Sequence, residues 1–180
     1  MISVSTLEVQ TVQTQIFKAD NLLIIGGRDG FRSESSDVEH IDMEADDEKC
    51  SPVDLDYPIQ SHSSVVSSLG VITCGGRSNG TRLNRCILQT KEGEIKLFPS
   101  MNRPRSGFGM GVMDQNLIVV GGYGAENKME KINLMSDQWV EEDLPFSVMD
   151  NCVVSINDTT VMSIGGKIKK DKKWTVSKMF

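Results

Sequence analysis

Leu117-Ile118-Val119-Val120-Gly121-Gly122 is a four-residue apolar run closed by two glycines. The same form stands at Leu22-Leu23-Ile24-Ile25-Gly26-Gly27, Val71-Ile72-Thr73-Cys74-Gly75-Gly76 and Val161-Met162-Ser163-Ile164-Gly165-Gly166. The second glycines are 49, 46 and 44 residues apart, so eight of the 16 Gly fall in register. Runs this short, rich in β-branched residues and stopped by glycine, predict strands rather than helices. Their continuous apolarity predicts burial on both faces. The first glycine is expected to remove bulk where backbones crowd, and the second to supply the positive φ that starts a turn.

Outward from these runs the units repeat more weakly. A polar-apolar strand follows the third run at Met129-Glu130-Lys131-Ile132-Asn133-Leu134, and Val38-Glu39-His40-Ile41-Asp42 matches it after the first. Trp139 opens a further strand after the turn at Ser136-Asp137. Another strand precedes each of the last three runs: Ser63 to Ser67, Gly107 to Val112 and Asn151 to Ile156. Four short strands per 44 to 49 residues, repeated radially, predict an all-β fold: a β-propeller of four-stranded antiparallel blades. The units run over 12–58, 59–103, 104–147 and 148–180, with 1–11 as a closing strand for the last blade. Two readings stand side by side: a self-closed ring of about four repeats, or part of a larger propeller.

At this point the sequence resembles the kelch family. The resemblance rests on the four apolar-Gly-Gly runs, Glu39 and Glu130 in third strands, Trp139 in a fourth, and Met101-Asn102-Arg103-Pro104-Arg105-Ser106-Gly107-Phe108 leading into the next blade. It departs from the family at Ile95, where tryptophan is usual, and in the fourth unit, which lacks the Glu position and ends one strand short, near Trp174 to Phe180. Glu39 and Glu130 are read as structural carboxylates accepting hydrogen bonds from a loop or an arginine. Trp139 is read as packing between blades, and Arg103 and Arg105 as pairing or bonding across them.

Composition narrows the function classes. The chain has 180 residues and a net charge of −6, which argues against a basic, nucleic-acid-binding face. No apolar run is long enough to span a membrane. Residues 34–56 are acidic and 167–173 basic, read as solvated loops. The alternation Asp42-x-Glu44-x-Asp46 lacks the sixth-position Gly and distal Glu of a calcium loop. His40 and His62 lie in no catalytic motif and are read as surface or edge residues. Two Tyr and two His are too few and wrongly placed to infer the copper site of the galactose-oxidase relatives, which leaves an enzyme remnant as a minor reading. Gly107-Phe108-Gly109-Met110-Gly111 precedes a strand rather than a helix, so it is read as packing glycines and not a phosphate loop. The expectation is a non-catalytic chain with no cofactor and no metal.

What remains is a protein-binding scaffold that recognises its partner through blade-connecting loops. Arg28 to Ser36, Arg77 to Thr81 and Tyr123 to Asn127 follow the Gly-Gly pairs, and Arg28, Phe31, Arg77 and Tyr123 are the candidate contacts, being residue types favoured at hot spots. The resemblance implies two partner classes, substrates presented to a ubiquitin ligase, and actin. No BTB-like or F-box-like helical segment is read in these residues, so a ligase-adaptor role requires a further domain.

Four cysteines, Cys50, Cys74, Cys86 and Cys152, fit buried thiols in a cytoplasmic protein or a disulfide between two of the first three. No secretory signal is readable at Met1 to Glu8, so a cytoplasmic location is expected, with an extracellular one as the alternative. The arrangement of Cys50, Asp56-Tyr57-Pro58, Thr73-Cys74-Gly75-Gly76 and Cys86 also looks like secreted kelch-like proteins, and that likeness implies a link between Cys74 and Cys86 on adjacent strands. Asn79-Gly80-Thr81 and Asn157-Asp158-Thr159 are N-x-Thr triplets in expected turns, a pattern that chance often produces.

Overall fold

The computed structural model of the chain describes residues 21–28, 34–42, 55–170 and 173–176. Among them every regular element is a strand, and no helix is long and apolar enough to cross a membrane. In the first unit β1 (Asn21–Arg28) pairs antiparallel with β2 (Glu34–Asp42). The second holds β3 (Ser63–Ser67), β4 (Gly70–Cys74), a short hairpin β5 (Arg77–Ser78) and β6 (Thr81–Arg82), then β7 (Cys86–Thr90) and β8 (Ile95–Phe98). Its sheet is a four-stranded meander in the order β3-β4-β7-β8. The third repeats that meander with β9 (Gly109–Met113), β10 (Asn116–Val120), β11 (Lys128–Asn133) and β12 (Val140–Asp143). The fourth has β13 (Ser147–Met149), the pair β14 (Cys152–Asn157) and β15 (Thr160–Ile164), then β16 (Lys167–Lys170) and β17 (Lys173–Val176).

The sheets stack face to face, with β9 lying against both β3 and β14. Strand alternation then explains the continuous apolar runs, because successive side chains point to opposite faces of a sheet. On β10, Leu117 and Val119 join the core between the second and third sheets, with Ile72, Phe98, Phe108 and Trp139. Ile118 and Val120 instead join the core between the third and fourth, with Val148 and Val153. A third core lies between the first and second sheets and holds Val38, Leu55, Ile59 and Ile87. The second and third blades therefore each contribute to two cores and the outer units to one, and no single central core exists among the described residues.

One backbone bond recurs at each junction. The N–H of the second glycine donates to the carbonyl of the residue four places before the next blade's first strand: Gly27 to Ile59 at 2.7 Å, Gly76 to Arg105 at 2.8 Å and Gly122 to Val148 at 2.9 Å. Both glycines of all four pairs have positive φ, from 52° at Gly26 to 115° at Gly27. This corrects the expected division of labour. The first glycine also needs the left-handed region, and the second is also crowded: a Cβ on Gly122 would stand 2.6 Å from that of Phe108. A second ladder links the residues two places before the first strands, where the Gly107 N–H donates to Ser61 O at 2.9 Å and the Asp150 N–H to Gly107 O at 2.7 Å.

Burial on both faces holds for β4 and β10 but not for the outer runs. Ile24 on β1 is 43% exposed and β15 is only half-buried, because no second sheet covers them among the described residues. The fourth unit departs further from expectation. Residues 173–176 pair with β16, which pairs with β13, and not with β15. They form the second arm of a hairpin after Gly165-Gly166, the place that β5–β6 holds after Gly75-Gly76, rather than a blade strand. The expected closing strand at 1–11, Phe31, Glu44, Asp46 and Cys50 lie outside the described residues.

Candidate functional site

Arg28, Arg77, Tyr123 and Lys167 each follow a second glycine, so the repeat sets all four on the same rim of their sheets. Where they are described, the first two candidate loops are strand, save the turn at Asn79-Gly80. Arg28 ends β1 and pairs in register with Glu34, and both Arg28 and Arg77 are exposed. Arg77 begins a hairpin whose tip, Asn79-Gly80, has φ of 48° and 80°, the mirror-image turn that matches strand twist. Its Nη2 donates to the Gly80 carbonyl at 2.9 Å, which holds the guanidinium over the turn.

Glu34 ties this hairpin to the first unit. Its Oε2 accepts the Asn79 backbone N–H at 2.6 Å and its Oε1 accepts Gln60 Nε2 at 2.5 Å. The Asn79 hydrogen bond, above all, holds the Glu34 carboxyl below its usual range, with Arg77 adding attraction. On the next units the Tyr123 hydroxyl donates to Asp150 Oδ2 at 2.9 Å, and Lys167 Nζ donates to the same oxygen at 3.0 Å. That bond raises the Lys167 pKa. Asp150 sits at φ 53°, on the ladder with Ser61 and Gly107, so its side chain is fixed from the backbone up.

The structure thus gathers the rim residues into two clusters: Arg77 with Glu34, Gln60 and Asn79, and Tyr123 with Asp150 and Lys167. Glu34, Asp150 and Lys167 were missed in the sequence. The repeat register could have found Lys167, which follows the fourth Gly-Gly pair, whereas Glu34 and Asp150 carry no local signal.

Of the remaining positions, Glu130, Trp139, Cys74 and Cys86 lie inside. Glu130 is fully buried and accepts the N–H of Asn102 at 2.6 Å and of Arg103 at 3.2 Å, and it pairs with Arg105 Nη2. Trp139 is 8% exposed and donates from Nε1 to the Pro99 carbonyl at 2.9 Å, across the second and third sheets. Glu39 is half-buried, opposite Ile24 in the β1–β2 register. Cys74 and Cys86 face each other across β4 and β7, both fully buried and joined by a disulfide, while Cys152 is exposed and free. His62 lines a cavity of about 880 Å³ between the first two units, with Leu23, Ile25 and Val38, and burial lowers its pKa. Among the described residues no group of three His, Cys, Asp or Glu is placed to hold a metal.

Residues 104–142 match the family model of the Kelch motif. The chain carries a kelch repeat. The matched kelch segment covers β9, β10, β11 and most of β12, so it coincides with one of the two four-stranded sheets among the described residues. The second sheet repeats the same meander, and the all-β architecture is that of kelch propeller blades. Kelch repeats are typically protein-interaction units rather than catalytic ones. No curated protein matches the sequence.

Proposed function

We infer that the chain is a non-catalytic scaffold that binds a protein partner through the rim next to the Gly-Gly pairs. The reading rests on one observation: Arg28, Arg77, Tyr123 and Lys167 occupy the same repeat position, Asp150 joins Tyr123 to Lys167 across neighbouring units, and Glu34 of the first unit holds the Asn79 turn beside Arg77. A rigid frame holding Arg and Tyr in place suits recognition, because little side-chain freedom is lost on binding. Within the kelch resemblance the partner classes are a ubiquitin-ligase substrate and actin. The test is capture of the chain's partners from its own source, after proximity labelling identifies them. Arg28→Ala, Arg77→Ala and Tyr123→Ala, each with unchanged unfolding behaviour, should lose capture, whereas Leu97→Ala on the exposed face of β8 should keep it. Unchanged capture by the three rim variants would remove this face from consideration.

A second reading concerns location. The Cys74–Cys86 disulfide favours a secreted kelch-like binding protein over a cytoplasmic one, because disulfides persist in oxidising compartments.

A further inference from the structure

The two N-x-Thr triplets lie in tight turns at opposite ends of the blades. Asn79 is at the tip of the β5–β6 hairpin on the Gly-Gly rim, and Asn157 closes the β14–β15 turn at the other end. Both residues are exposed, and neither belongs to a core between blades. At Asn157 the acceptor geometry is already formed. Its Oδ1 accepts the Thr159 backbone N–H at 2.9 Å and the Thr159 hydroxyl at 3.0 Å. A hydroxyl bonded to the carboxamide oxygen draws electron density from the amide and makes its N–H more acidic. At Asn79 the backbone N–H is taken by Glu34, and both Asn79 and Thr81 are exposed at a two-residue turn.

We propose that Asn79 and Asn157 are acceptors for N-linked glycans. The inference rests on the secreted reading above, since the transferase works in the compartment where disulfides form. The donor is a lipid diphosphate-linked oligosaccharide. Nδ2 attacks the sugar's C1, the C1–Nδ2 bond forms as the C1–O bond to the diphosphate breaks, the amide nitrogen gives up one proton, and the lipid diphosphate leaves with the electron pair. A glycan at Asn157 would stand at the end of the blades away from the proposed binding rim, and one at Asn79 beside Arg77 would limit which partners reach it.

The test uses the full chain isolated from its source. An amidase that releases N-glycans is applied in heavy-oxygen water, so that each occupied Asn becomes labelled Asp, and the same sample is peptide-mapped without reduction. The expected result is label at both Asn79 and Asn157 together with a linked Cys74–Cys86 peptide pair. Label at one site alone sustains the inference there and overturns it at the other. No label with the disulfide present overturns glycosylation but leaves the secreted reading standing. No label with free thiols overturns both.

Discussion

Arg105 and Glu130 form an ion pair in which neither side chain has any exposed surface. Arg105 also donates from Nη1 to the carbonyls of Gly121 at 2.8 Å and Lys128 at 3.2 Å, while its Nε has no partner among the described residues. The second blade handles the same place differently. Ile59, like Arg105, stands four residues before a first strand, and Ile87, like Glu130, follows the residue paired with the one before Gly-Gly. Both isoleucines are buried in one core. The fold therefore accepts either an ion pair or an apolar pair at this position.

Removing one member of the buried pair should be severe and removing both mild. Glu130→Ala strands the Arg105 guanidinium without its counter-charge, a loss of about 3–5 kcal/mol. The double variant Arg105→Ile/Glu130→Ile copies the second blade and should be more stable than Glu130→Ala alone. Urea unfolding of the three proteins checks this. A double variant less stable than the single would show that the Arg105 bonds to the Gly121 and Lys128 carbonyls outweigh the penalty of its unpaired charge.

Acid should weaken the outer edge of the third blade. Arg103 Nε meets Glu141 Oε2 at 2.5 Å and Lys128 Nζ meets Oε1 at 2.9 Å, which lowers the Glu141 pKa from the ordinary 4.5 to about 2. The folded value lies below the unfolded one, so the carboxylate's contribution is complete above about 4.5 and fades as pH falls from there through about 2. Melting curves of the parent and Glu141→Gln between pH 2 and 6 should therefore converge toward the acid end. Added salt should also narrow the gap, since Arg103 is exposed to solvent.

The Gly-Gly pairs should tolerate alanine less well than an ordinary turn glycine. At Gly122, with φ 91°, a Cβ would stand 2.6 Å from the Phe108 Cβ and 2.9 Å from the Ser106 carbonyl. Gly93 has a similar φ of 86° but no atom within 4 Å of that position. Both alanine variants bear a left-handed strain of about 1–2 kcal/mol. Only Gly122→Ala adds crowding, a further 1–3 kcal/mol or so. Chemical denaturation should show Gly93→Ala as the milder change, and equal effects would mean that strain alone governs these sites.

The Cys74–Cys86 link should stabilise the second blade chiefly by restricting the unfolded chain. It joins residues 12 apart, a loop for which about 3 kcal/mol is expected. Cys74→Ala/Cys86→Ala should lower the unfolding midpoint by a corresponding amount under non-reducing conditions. Adding reductant should bring the parent toward the variant and leave the variant unchanged. A parent insensitive to reductant would mean that the core formed by Ile72, Phe98 and Met101 holds the two strands without the link.

The repeat is written in the local pattern of the chain. Four apolar runs ending in Gly-Gly set the strands, the turns and the spacing of the units, because strand periodicity and the left-handed freedom of glycine are local properties. They also set Arg28, Arg77, Tyr123 and Lys167 at one position of the repeat. The tertiary structure decided what local pattern does not carry. That Arg105 reaches Glu130, that Asp150 joins Tyr123 to Lys167, and that Glu34 caps the Asn79 turn all depend on which blade edge faces which. The hairpin of β16 and β17 follows from tertiary pairing for a related reason: its partner β13 stands on the far side of the β14–β15 pair, so this sheet is not built only from strands adjacent along the chain. Whether an apolar run is covered on both faces was likewise settled by its neighbours, since Ile24 and Ile118 have the same side-chain chemistry and only Ile118 lies beneath a second sheet.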